Sequence, residues 1–292
     1  MTITCVWQGK NILGEGPLWD FRSQLLYWLD IEQSQLLQLN PNTNELHNFN
    51  LPDKPGAIAL REKGGLLIAL RQELIFFDPN TGATVPWTSP LADHPDIAFN
   101  DGKCDRQGRF WIGAKDKQET NPIGALYRIT ALGESTTMAT EFIVPNGLGW
   151  SPDNRYFYFT DGGSHRRILR YDFDSDTGNI YRRHIFADIS PNDGIPDGLT
   201  VDSEGYIWSA HWDGWRITRY APDGSIDRVI ELPAPNITSC CFGGAELNIL
   251  YITTATRDLT KAQLAQAPQA GGLFALETDV KGLSEPLFKQ PL

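Results

Sequence analysis

Four oxygen-bearing side chains recur at one spacing in this sequence. Glu15 stands five residues before Asp20, Asn100 five before Asp105, Asn146 five before Ser151 and Asp197 five before Asp202. Two carboxylates and two amides brought to one place make an all-oxygen donor set, which suits Ca2+ or Mg2+ better than zinc because no His or Cys takes part. Two enclosed carboxylates repel each other unless a cation or a proton intervenes. Ca2+ is the first expectation, since it accepts amide oxygens and irregular geometry; Mg2+, Mn2+ and Zn2+ are the other divalent ions considered. Any one Asn-Gly or Asp-Gly dipeptide reads more simply as a turn. Four at one position of a repeat favour a shared site.

The elements that must position these residues repeat as well. Second strands are expected at 25–29, 66–70, 110–114, 156–160, 206–210 and 250–254, and third strands at 36–39, 74–77, 125–129, 168–173, 215–220 and 272–276. Turn signals such as Pro79-Asn80-Thr81-Gly82 and Asp176-Thr177-Gly178 follow the third strands and announce a fourth. Unit starts near 15, 56, 100, 146, 197 and 239 are about 41 to 51 residues apart, the period of β-propeller blades. The expectation is an all-β, six-bladed propeller of four-stranded antiparallel blades, with residues 1–292 forming one domain. The sixth unit lacks an evident fourth strand, so the strand-like segment 3–7 is expected to close the ring.

In a propeller the first strand of each blade lines the central channel. The ring therefore reads Glu15, the Gly56 region, Asn100, Asn146, Asp197 and the Thr238-Ser239 region. Aligning the turn 105–108 with 202–205 selects Asn100 for the ring, and strand alternation then directs its neighbour Asp101 away. Antiparallel order puts the loops between second and third strands around the same mouth: 115–123, 161–167, 211–214 and 255–271. Lys115, His165, His211 and Trp212 are substrate-contact candidates on those loops, although ordinary packing is the commoner role for each.

Composition agrees with this architecture and narrows the partners. Nine Trp, fourteen Phe, nine Tyr, 27 Gly, 19 Pro and only two Met favour short strands and many turns over a helical bundle. A formal charge of −11 without a basic cluster argues against nucleic acid as a partner. No stretch approaches the roughly 18 apolar residues of a membrane span, and no signal segment opens the chain, so no membrane partner and a cytoplasmic location are expected; oligomeric state is left open. The four cysteines form no Cys-x-x-Cys and are expected as reduced, buried thiols, with vicinal Cys240-Cys241 the one pair able to oxidise.

Several segments resemble the regucalcin and gluconolactonase family of calcium-dependent six-bladed propellers: Gly14-Glu15-Gly16-Pro17-Leu18-Trp19, Phe99-Asn100-Asp101-Gly102-Lys103, Pro145-Asn146-Gly147-Leu148-Gly149-Trp150-Ser151, Ile195-Pro196-Asp197-Gly198, Thr238-Ser239-Cys240-Cys241-Phe242-Gly243-Gly244 and Ala270-Gly271-Gly272. The resemblance implies a metal held by Glu15, Asn146 and Asp197, with Asn100 beside it on water or substrate, and hydrolysis of a sugar lactone to its aldonic acid. It places a further sugar contact at Gln118, with Glu119 adjacent. Members that bind aldonolactones often carry an Arg two residues before the Asn, and here that position is Ala98.

The chemistry expected on these grounds is polarisation of the lactone carbonyl by the metal, with Asp197 activating water and Glu15 serving as ligand. No Gly-x-Ser-x-Gly elbow offers a nucleophile instead. The alternatives are a phosphotriesterase-like hydrolase on the same metal centre and a non-catalytic calcium-binding propeller.

Overall fold

The computed structural model describes residues 2–290. Its strands form six four-stranded antiparallel sheets. Five of these blades take their strands consecutively from the chain. The sixth combines Asn236–Gly243, Ile249–Ala255 and Leu273–Glu277 with the amino-terminal Ile3–Trp7, which pairs antiparallel with the last of them. The ring is thus closed by its own first strand, as expected.

Burial explains why the blades need one another. The innermost strands Gly14–Asp20, Pro55–Leu60, Ile97–Cys104, Pro145–Trp150, Ile195–Val201 and Asn236–Gly243 are almost wholly buried. Outermost strands such as Glu45–Asn50 and Ile226–Glu231 are mostly exposed. Alternate residues of one inner strand face opposite neighbours. Leu18 packs with Ile58 and Leu60 of the second blade, while Trp19 packs with Cys241 and Tyr251 of the sixth. Each of the six apolar clusters spans two consecutive blades, so no blade owns a core of its own.

The same alternation separates the vicinal thiols. Cys240 joins the cluster shared with the fifth blade and Cys241 the one shared with the first. All four cysteines are free.

Two features depart from the sequence expectations. The loop 255–271 carries a short helix, Lys261–Gln266, started by a capping box in which the Thr260 hydroxyl accepts from the Gln263 N–H and the Gln263 side chain accepts from the Thr260 N–H. The segment after the last strand crosses the mouth of the channel opposite the four oxygens. Gly282 bridges to Asp202, Phe288 is fully buried against the second and third blades, and Glu285 pairs with Lys103 at 3.1 Å. Among the described residues no helix is long and apolar enough to cross a membrane.

Candidate metal centre and active site

Every inner strand is irregular where the site begins. The register with the second strand slips between Glu15 and Leu18, Pro55 and Ala57, Phe99 and Gly102, Asn146 and Leu148, Pro196 and Leu199, and Ile237 and Ser239. Such bulges re-aim side chains at the end of a sheet. The glycines beside them serve close approach rather than a turn. A Cβ on Gly198 would lie 2.1 Å from Ser239 Oγ, and one on Gly147 would lie 2.7 Å from the Asp197 carbonyl oxygen. The Asn-Gly and Asp-Gly dipeptides of these blades therefore lie inside strands, where adjoining inner strands nearly touch.

Glu15, Asn100, Asn146 and Asp197 converge on one cavity of about 150 Å³ at a mouth of the channel. All four are buried, at 7 to 8% exposure. The amides commit their NH2 groups to the protein: Asn100 Nδ2 donates to the Pro145 carbonyl at 2.8 Å, and Asn146 Nδ2 donates to Asp197 Oδ1. Glu15 Oε2 accepts from the Gly16 N–H at 2.8 Å. One oxygen of each side chain is left without a protein donor among the described residues, so four uncommitted oxygens share the cavity.

Electrostatics set the same demand. Burial pushes the Glu15 carboxyl up to about 8, with the charge of Asp101 adding to the rise, and burial followed by Glu15 raises Asp197 well above the ordinary range. Two enclosed carboxylates with uncommitted oxygens are stabilised by a hard cation. The residues fit one: Glu15, Asn146 and Asp197 would supply oxygen ligands, and a Ca2+ ion with six to eight positions would keep several for water or substrate. Among the described residues no three His, Cys, Asp or Glu side chains are grouped to hold a metal. This set has only two acids and depends on its amide.

The rim comes from the loops that antiparallel order assigned to it. Lys115 and Glu119, Gly162 and Gly163, Trp212, and Arg257 with Asp258 each represent one of those loops. Lys115 Nζ donates to Glu119 Oε1 at 2.7 Å, and Arg257 lies 3.7 Å from the same oxygen.

Other expected contacts lie elsewhere. Gln118 is exposed and does not line the cavity, whereas the adjacent Glu119 does. His211 is fully buried, its Nδ1 2.7 Å from the Asp193 carbonyl and its ring stacked on Tyr220, and it does not line the cavity. His165 binds Asp161 at 2.9 Å, also away from the cavity lining.

The alternation used to turn Asp101 away from the channel fails at the bulge. Asn100 lines the mouth, and Asp101 lines the next cavity along the channel with Lys103, Ser239 and Glu285. Burial lifts its carboxyl to about 6, against the opposing pull of Lys103. Arg257 and Asp258 were missed because nothing in the sequence distinguishes one charged residue of the 255–271 loop from another.

A six-bladed propeller with four converging oxygen donors at one mouth of its channel defines the class of protein. The chain belongs to the SMP-30/gluconolactonase/LRE-like family, whose pattern matches residues 13–256. It is 37% identical to 6-deoxy-6-sulfogluconolactonase of Pseudomonas putida over 290 residues, 98% of each chain. It is 34% identical to the pentonolactonase XacC of Haloferax volcanii, covering 98% of this chain and 97% of that one. The crystal structure of a calcium-binding protein, regucalcin, from Agrobacterium tumefaciens superposes with a TM-score of 0.93 at 29% identity, covering 98% of this chain and 96% of that one.

Proposed function

We propose that this protein is a lactonase that opens a sugar lactone to its aldonic acid, with one divalent cation, Ca2+ foremost, held by Glu15, Asn146 and Asp197. The observation that carries the reading is the convergence of two enclosed carboxylates and two amides, each with an uncommitted oxygen, in a family whose named relatives include a sulfogluconolactonase and a pentonolactonase. When bound, the cation supplies Lewis acidity that polarises the lactone carbonyl.

The protein's own side chains do the rest. Asn100, whose NH2 is anchored on Pro145, turns its remaining oxygen toward water or a substrate hydroxyl. Asp197, whose Oδ1 accepts from Asn146, takes the proton of the attacking water on the carboxylate oxygen that the cation leaves free. Water oxygen bonds to the carbonyl carbon, the bond from that carbon to the ring oxygen breaks, and the proton held on Asp197 passes to the departing alkoxide. Trp212, Val144 and Ile195 give the cavity apolar walls that restrict water.

The test is hydrolysis of a lactone panel with and without chelator, repeated with Ca2+, Mg2+, Mn2+ and Zn2+ and with an activated organophosphate alongside. Turnover of a lactone that chelator removes and Ca2+ restores is expected. Asp197→Ala should lower kcat/KM by at least about a hundredfold and weaken cation binding. Preferred turnover of the organophosphate, chelator-insensitive hydrolysis or normal turnover by the variant would overturn the assignment.

A further inference from the structure

A second cavity, of about 240 Å³, opens beside the four oxygens and shares Asn100, Lys115, Glu119 and Arg257 with the first. Its charge is opposite in character. Lys54, Arg71, Lys115, Lys117 and Arg257 line it, against only two carboxylates, Glu32 and Glu119. With Asp53 and Asp258, which pair with Arg71 and Arg257 from outside the lining, five cations face four carboxylates, a small positive excess in a chain whose formal charge is −11.

The cations are incompletely matched by their neighbours. Lys54 pairs with Glu32. Arg71 reaches Asp53 at 3.4 Å, and Arg257 reaches Glu119 at 3.7 Å and Asp258 at 3.5 Å. Glu119 is already bonded to Lys115 at 2.7 Å, and Lys117 donates to the Pro95 carbonyl at 2.6 Å. Each lysine carries three donors and each arginine five, so N–H groups outnumber the oxygens offered to them.

Two small residues are part of the cavity's lining. Gly56 and Ala98 stand at the inner-strand positions of the second and third blades, and Ala98 pairs across the strands with Lys115. A Cβ on Gly56 would lie 2.6 Å from the Asn100 carbonyl oxygen. Taken together, the two cavities form a cleft with carboxylates at one end and surplus N–H donors at the other.

We propose that this second cavity is a subsite for an anionic substituent, a sulfonate or phosphate group, carried by the lactone at the end remote from its carbonyl. The inference rests on the lactonase reading and specifies its substrate class. A tetrahedral oxyanion offers several acceptor oxygens to the donors left over at Arg71, Lys117 and Arg257, and charge-assisted bonds of that kind are strong and directional.

The experiment compares gluconolactone with its 6-phosphate and 6-sulfonate analogues on the wild-type protein loaded with Ca2+, and on Arg71→Gln and Lys117→Gln. Both positions lie outside the cavity that holds the four oxygens. At least one anionic lactone should be preferred over the neutral one by about tenfold or more in kcat/KM, and the preference should shrink as salt is raised. Arg71→Gln should cut kcat/KM for that lactone roughly ten- to a hundredfold and leave gluconolactone within about twofold. Equal use of neutral and anionic lactones by the wild type, or equal losses in the variants, would overturn the subsite. If no lactone is turned over, the lactonase reading fails separately, and calorimetry with 6-phosphogluconate decides the subsite. Binding weakened by Arg71→Gln upholds it, and no binding by the wild type overturns it.

Discussion

Two buried side chains show how far residue type alone carries. His211 begins a loop expected at the rim, yet its ring is sealed in the fifth blade, with Nδ1 on the Asp193 carbonyl and no partner for Nε2 among the described residues. A carbonyl accepts, so Nδ1 carries the proton of a neutral ring. Burial lowers the imidazole from 6.5 to about 4, which makes His211 a stability element. Between those values the unfolded chain binds the proton and the folded protein does not, so stability rises with pH across that window and is lost as pH falls toward 4. The contribution is on the order of 3 kcal/mol when the window is crossed. Thermal melts from pH 4 to 7 should show a shallower pH dependence for His211→Asn than for the wild type, and identical slopes would show that folding leaves the imidazole pKa unshifted. Asp101 is the counterpart: alternation hid it, and the bulge exposed it to the channel.

Among the elements, the inner strands carry the proposed site, and their glycines measure how tightly they are set. Asp197 can point into the cavity because the next residue has no side chain to collide with the sixth blade. Gly198→Ala would put a methyl carbon 2.1 Å from Ser239 Oγ and 2.5 Å from its Cβ. Overpacking of that kind costs about 1 to 3 kcal/mol, and moving the strand displaces Asp197. The variant should melt lower and lose lactonase activity together, and Ser239→Gly in the same background should recover part of both, which a double-mutant cycle reads directly. No recovery would place the strain elsewhere.

Taken whole, the molecule is a ring whose cores lie between blades, so closure decides stability. The closing strand Ile3–Trp7 packs into both clusters that flank the sixth blade: Ile3 and Cys5 against the fifth-blade side, Val6 and Trp7 against the first, with Trp7 edge-on to Trp28 at 5.2 Å. Deleting residues 1–7 would bare the Leu273–Glu277 edge and uncover both clusters. Denaturant unfolding of the shortened protein should show a loss of about 3 kcal/mol or more, or a broadened transition, and an unchanged midpoint would show that the ring holds without the strand.

The sequence by itself determined the fold, the closing strand and the four oxygens. Those features repeat, and each blade must solve the same burial and turn problem in the same order, so one unit checks another. Glu15, Asn100, Asn146 and Asp197 were legible for that reason, and the loops that rim them followed from antiparallel connection alone. Tertiary structure decided what does not repeat. Bulges are shifts of backbone register without a residue signature, and they put Asn100 and Asp101 at successive depths of one channel. Lys54, Arg71, Lys117 and Arg257 belong to different blades and loops, and only ring closure brings them to one cavity. The 281–290 segment, which belongs to no blade, covers the far mouth because Glu285 and Phe288 find their partners there. Local chemistry is written in the chain, and the meeting of distant chemistries is set by closure.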